Sequence, residues 1–322
     1  MHKRALVMML AVVGLGLGCG KKNEDAAEGA ATAAKGVETI AIPARKAPAV
    51  KVEDAGAEPR AVLRLHPKAG GSQVLKLTMG TTMTMKKAAE ESVELPVPTI
   101  AVSLESKVTE VGDAGFHVEQ SVGGVIVTAA EDSPPAVVEN VEKTVMPLMK
   151  YRGRIEMNDR GTVLGGEAEL PRDLPANVHT MMQQMTQSLG QMSVPLPEPA
   201  VGPGAKWTTV EDIKQSGMKL RQTSRYHLLS RDGDRLMFDV QVQQELLDPN
   251  VQAPGMTEST ARASEFRASG QGSSTIDLSA AAPVEMTMTM DMSMVMDLTV
   301  LGQHQKAETQ MGLSVSMKQL DP

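Results

Sequence analysis

The feature that most constrains this chain is a two-residue rhythm of methionine near its C-terminal end. Val284, Met286, Met288, Met290, Met292, Met294 and Met296 alternate with Glu285, Thr287, Thr289, Asp291, Ser293 and Asp297. On an extended backbone successive side chains point to opposite faces, so this segment has one thioether face and one polar face. At helical pitch the same methionines would be spread around the whole cylinder. Residues 75–85 carry the same pattern, with Leu75, Leu77, Met79, Met83 and Met85 set between Lys76, Thr78, Thr82 and Thr84.

Further segments read as strands at 99–111, 115–129, 152–157, 206–215, 218–230, 235–247, 257–269 and 308–317. Arg231-Asp232-Gly233-Asp234 is a good hairpin turn, because glycine tolerates the positive φ that such turns need. Asn158-Asp159-Arg160-Gly161 and Gly112-Asp113-Ala114-Gly115 are similar. Laid flat, residues 284–301 would span about 60 Å, so the sheet must twist and curl.

Two segments have helical spacing instead. Residues 135–150 place Val138, Val141, Val145, Leu148 and Met149 along one side; residues 174–192 do so with Val178, Met181, Met182, Met185, Leu189 and Met192. The expected fold is therefore α+β but mostly β. It is a long curled antiparallel sheet, a half-barrel or open barrel, with about two amphipathic helices packed on it. Pro195, Pro197, Pro199 and Pro203 form a connector. The strands on either side of it look alike, which favours one domain over residues 61–322.

Composition says what fills that domain. The chain has one Trp, two Tyr and three Phe against 24 Met. Aromatic bulk is scarce, so flexible, polarizable thioethers must fill space, and the packing they give is adaptable. The shortage also argues against an integral outer-membrane barrel, which carries aromatic girdles at both interfaces. A formal charge of −7 with no basic stripe argues against a nucleic-acid partner.

The N-terminal end has a different logic. His2, Lys3 and Arg4 precede an apolar run from Ala5 to Val13, too short to span a bilayer, and a glycine-rich stretch leads to Cys19. Residues 1–18 read as a lipoprotein signal peptide. Cys19, the sole cysteine, is the expected lipid attachment point, and acyl chains there anchor the protein to a membrane. The segment resembles the bacterial lipobox, with Gly16 and Leu17 displaced by one from the usual order. Gly20 after the cysteine favours the outer membrane, with the body facing the periplasm. Residues 19–60, dense in Ala, Lys, Glu and Pro, read as a disordered tether with a reach of roughly 35 Å. A short strand near 37–42 is compatible with this.

Three places carry a resemblance. Residues 75–85, Val201-Gly202-Pro203-Gly204-Ala205-Lys206-Trp207, and Gly270-Gln271-Gly272-Ser273-Ser274-Thr275-Ile276-Asp277-Leu278 look like an uncharacterised family of bacterial lipoproteins with long alternating antiparallel strands. The likeness covers most of residues 61–318 and implies no activity. At the level of fold the expected sheet is also similar to the lipoprotein-carrier half-barrels, which hold acyl chains.

No motif for catalysis, nucleotide binding or calcium is present, and neither an enzyme nor a cofactor is implied. Gly270-Gln271-Gly272 lacks the third glycine and strand-to-helix setting of a phosphate loop, and reads as a bulge or turn. His117 and Glu119 share a strand face but have no convergent third ligand, so no metal site is assigned. The methionine ladder has three readings: a core face, the wall of an adaptable lipid cavity, or a thioether set for Cu(I). The expected function is a non-enzymatic, membrane-anchored, periplasm-facing lipoprotein. It would bind an apolar or lipid ligand, or an envelope partner, with Met286, Met288, Met290, Met292, Met294, Met181 and Met185 facing the ligand. The alternatives are a structural or assembly role with a dry core, and Cu(I) binding.

Overall fold

Alternating side-chain patterns of this length can bury their apolar faces only by pairing edge to edge, and the chain does so throughout. In a computed structural model, residues 36–87, 92–172, 174, 194–215, 218–251, 260–300 and 303–320 are described. Fifteen strands form one antiparallel sheet. They are β1 (Val37–Ile42), β2 (Ala49–Asp54), β3 (Ser72–Lys87), β4 (Val93–Leu95), β5 (Thr99–Gly112), β6 (Gly115–Thr128), β7 (Arg152–Met157) and β8 (Val163–Pro171). The second half adds β9 (Lys206–Gln215), β10 (Met218–Asp232), β11 (Arg235–Leu246), β12 (Asn250–Val251), β13 (Thr260–Asp277), β14 (Glu285–Val300) and β15 (Gln303–Leu320).

The order across the sheet is β1-β8-β7-β6-β5-β3-β15-β14-β13-β11-β10-β9-β2, with β4 on β3 and β12 on β13. Strands before and after the proline connector therefore share one sheet, joined where β3 pairs with β15. Tight turns set the register: Asp232 pairs with Arg235 around Gly233, whose φ of 60° only glycine adopts readily.

The two margins are strands close together in sequence. β1 pairs with β8, β2 pairs with β9, and the path does not join β1 to β2, so the sheet is open. Arg45, in the six-residue link between them, reaches both sides. Its amide donates to Val163 O of β8 at 3.0 Å, and its guanidinium pairs with the Glu211 carboxylate of β9. A path thirteen strands wide can have its ends spanned by one residue only if the sheet curls round on itself.

These strands correct the expected tether. Residues 36–60 contribute both marginal strands, and the ordered body begins well before residue 61. The composition misled because short marginal strands need little apolar bulk; β1 buries only Ile42 outright. Residues 1–35, Cys19 among them, lie outside the described residues.

Among the described residues one helix rests on the sheet. The α-helix α1 (Pro135–Val145) passes into a 3-10 turn at Met146–Lys150. Pro147 explains the change, since it has no amide hydrogen for the next helical bond. Val141, Val145 and Leu148 face inward as the spacing predicts and pack with Leu75, Leu104, Ile155 and Leu170. Burial of each such side chain contributes about 1.5–3 kcal/mol. The second expected helix, 174–192, falls outside the described residues except for Leu174, which packs against the same cluster.

A second cluster fills the other half. Trp207, Tyr226 and Phe238 gather there with Leu63, Leu196 and Val201. Trp207 stacks on Tyr226 with centroids 5.6 Å apart, meets Phe238 edge-on at 5.5 Å, and donates its indole hydrogen to Pro195 O at 3.1 Å. The proline connector is thus built into the core. The glycines of Val201–Trp207 permit this: a Cβ on Gly202 would lie 1.9 Å from Ala57 O. A third cluster at the far end contains Met218, Leu220, Ala263, Met294 and Met296.

Candidate functional site

The inner face of the central strands carries the methionine ladder, and the pairing shows what surrounds it. Three cross-strand rows run through it. Met288 lies in line with Tyr226, Val240 and Gly272 on one side and Val315 and Met79 on the other. Met290 lies in line with Ser224, Val242, Gly270 and Leu313. Met292 lies in line with Gln222, Gln244 and Ala268, then Met311 and Met83.

β13 is the low ground in these rows. Its inner face presents Ala268, Gly270, Gly272 and Ser274 between the methionines of β14 and the Val240–Gln244 stretch of β11. The trough is about 10 Å wide, twice the spacing between strands, and about 20 Å long. Methionines lean into it: a Cβ on Gly270 would sit 2.6 Å from Met290 Cγ and 3.6 Å from Met288 Sδ. Met288 and Met290 reach across the glycines to pack against the Trp207 cluster.

This corrects the reading of Gly270-Gln271-Gly272 as a bulge or turn. Both glycines pair in unbroken register within β13, and the irregularity lies at Ala263/Glu265. Their role is to leave room. A Cβ on Gly272 would meet Thr287 O at 2.0 Å. Small residues alternating with Ser269, Gln271 and Ser273 were the available signal in the sequence.

The ladder is not uniformly buried. Met294 and Met296 are core residues. Met286, Met288, Met290 and Met292 are only half-buried, as are Met79, Met311, Leu313 and Val315 on the neighbouring strands. The structure thus brings the first four predicted ligand-facing methionines together on a partly open apolar surface and places Met294 in the core. Met181 and Met185 lie outside the described residues.

Polar groups border the apolar strip on the β11 side. Gln244 donates to Gln222 Oε1 at 2.9 Å, and Gln222 donates to Ser224 Oγ at 3.4 Å. Burial pushes the Tyr226 phenol above its ordinary pKa, and the Ser224 and Thr209 hydroxyls partly offset this. Gln244 Oε1 and Ser274 Oγ are buried with no hydrogen-bond partner among the described residues, in residues 6% and 3% exposed. Buried acceptors without partners are costly and uncommon.

Beyond the pair Gln244–Ala268, β11 and β13 part. A slot of about 570 Å³ opens there, lined by inner-face residues Gln244, Leu246, Phe266 and Ala268 and by outer-face residues Glu245 and Arg267. A larger groove of about 730 Å³ lies over β5, β6, β7 and β8. Its side chains alternate in sign, with Lys107, Glu119, Arg154 and Glu167 in one cross-strand row. Such a face neutralises itself and lacks an apolar floor.

His117 and Glu119 do not converge: His117 Nε2 is 3.9 Å from Glu110, while Glu119 stands between Lys107 and Arg154. Among the described residues no group of three or more His, Cys, Asp or Glu is gathered for a metal.

No protein-family model and no curated protein matches the chain. Distant similarity to solved structures exists. DynF from the dynemicin biosynthesis pathway of Micromonospora chersina matches with a TM-score of 0.19 and 10% identity, over 84% of this chain and 89% of DynF. OpdQ of Pseudomonas aeruginosa matches with a TM-score of 0.21 and 7% identity, over 78% and 99%. OmpT of Vibrio cholerae, an outer membrane protein in a loop L8 deletion form, matches with a TM-score of 0.17 and 6% identity, over 78% and 100%. What these share with the chain is a large antiparallel sheet, and overlap this slight has no bearing on function.

Proposed function

We propose that the chain is a lipid-anchored, periplasm-facing envelope lipoprotein of non-enzymatic role that binds an apolar or lipid ligand along the inner face of its curled sheet. One observation carries the binding reading: the thioether strip Met286–Met292, with Met311 and Met79, lies half-buried at the centre of the sheet between two packed clusters. Clefts lined by apolar side chains with a few convergent polar groups are the usual form of ligand sites. Methionine suits a ligand of variable shape because its three torsions adapt at small cost. The outer faces of the same strands carry Glu285, Thr287, Thr289 and Asp291, all exposed. A barrel crossing a bilayer needs its apolar band on that outer side, so the ladder's orientation supports an internal ligand. The anchor reading rests on the leader and Cys19.

Native mass spectrometry of the chain purified from membranes, with titration by the apolar dye N-phenyl-1-naphthylamine, tests the binding reading. Dye fluorescence should rise on binding, and the variant Gly270→Val, which fills the trough, should abolish the rise. No dye uptake by the folded wild type overturns it. Metabolic labelling with an alkyne fatty acid tests the anchor: label should appear on the wild type and vanish in Cys19→Ala.

A second reading, Cu(I) binding, is favoured by one row. Met292, Met311 and Met83 stand side by side on three adjacent strands, with Cβ atoms about 5 Å apart. Three thioethers converging on one soft ion from such a row is chemically reasonable. Competition against a Cu(I) chelator should show one site lost in Met292→Leu with Met311→Leu, and no uptake by the wild type ends this reading.

A further inference from the structure

Resting on the ligand-binding reading above, we propose that the occupant is an amphiphile with an uncharged, hydrogen-bond-donating head, such as a monoacylglycerol, seated with its head at the β11–β13 slot and its chain along the β13 trough. Three observations lead there.

The first is the parting of two strands that pair in regular register up to Gln244–Ala268. The slot beyond is lined from both faces of the sheet, so it connects the exterior to the inner face at the end of the trough. A chain entering there meets Ala268 first and then displaces the flexible Met290 and Met288 side chains that lean over Gly270 and Gly272.

The second is the state of Gln244. Its amide nitrogen is committed to Gln222, and Gln222 is committed in turn to Ser224. In that arrangement Oε1 is left as a buried acceptor that no donor among the described residues meets. A hydroxyl or N–H on a ligand supplies what it lacks. A carboxylate head has only lone pairs to offer and is disfavoured beside it.

The third is the charge around the slot: among its lining residues the two charged ones, Glu245 and Arg267, are of opposite sign. The described lining therefore carries no net charge with which to hold an ionic head.

The experiment is displacement of N-phenyl-1-naphthylamine from the full chain by 1-monooleoylglycerol and by oleate, which share a tail. The wild type should prefer the monoacylglycerol by roughly tenfold, the scale of one buried hydrogen bond. Gln244→Met should erase the preference, weakening displacement by the monoacylglycerol and strengthening that by oleate. If that variant fails to fold, the wild type can be tested with the dimethyl ether of the same monoacylglycerol, which should bind no better than oleate. Equal affinity for the two amphiphiles, or a preference that survives both changes, overturns this assignment alone. If the dye itself does not enter, the broader reading falls with it.

Discussion

Gly270 of β13 stands directly opposite Met290 of β14, and the methionine occupies the room the glycine leaves, with a Cβ there falling 2.6 Å from Met290 Cγ. Gly272 repeats the relationship with Met288, but more tightly, since its added methyl would meet backbone at 2.0 Å. Gly270→Ala should cost about 2 kcal/mol, because a flexible thioether can move aside but the Thr289 carbonyl, 2.8 Å from the added methyl, must also give. Gly272→Ala should cost about 3 kcal/mol because the Thr287 carbonyl must give further. Urea denaturation of the two variants checks the order; a smaller loss for Gly272→Ala would refute the packing argument.

Trp207 is the only tryptophan and is 1% exposed in the stacked cluster. Its emission should be blue-shifted and resistant to iodide quenching, with both properties lost together on unfolding. Trp207→Ala should destabilise by roughly 3–5 kcal/mol through the cavity it leaves.

Arg45 and Glu211 hold the two margins of the sheet together. Their side chains are 25% and 17% exposed, so solvent screens the pair in part and the loss on Glu211→Gln should be about 1 kcal/mol. The distinguishing readout is local. Amide hydrogen exchange should quicken in β1, β2 and the link between them, and remain unchanged in β14.

The raised pKa of the Tyr226 phenol has a definite sign in the pH dependence. The folded state holds this proton to a higher pH than the unfolded chain, whose tyrosines titrate near 10. Above about pH 10 the unfolded state therefore binds fewer protons, and stability falls as pH rises toward the folded value. Melting temperature followed from pH 9 to 11.5 should drop in the wild type and drop less in Tyr226→Phe. Parallel curves for the two proteins would remove Tyr226 as the cause.

Period two made β3, β7, β9, β10, β11, β14 and β15 legible from sequence, because each alternates bulky apolar residues with polar ones. β8 escaped notice. Its alternation is Ala168 and Leu170 between Glu167 and Glu169, after Gly165-Gly166, too little bulk to stand out. β2 escaped as part of a tether for the same reason, whereas β1 coincides with the short strand allowed near 37–42; the two pair with β9 and β8. The methionine face was visible, but the trough beside it was not. A glycine contributes nothing to a hydrophobic pattern, and Gln244 gains its meaning from Gln222, twenty-two positions away in sequence and one strand away in space.

The link between β1 and β2 has a consequence for the order of assembly. The segment that covers both borders of the sheet is made early, yet its partners are residues 163–171 and 206–215. Until those have been synthesised and paired, the first strands have no place to dock, and the borders of β8 and β9 stand open to any other extended chain. Final coverage of the sheet is therefore a late and long-range event. A chaperone that shields extended polypeptide has the most to protect in the interval before it.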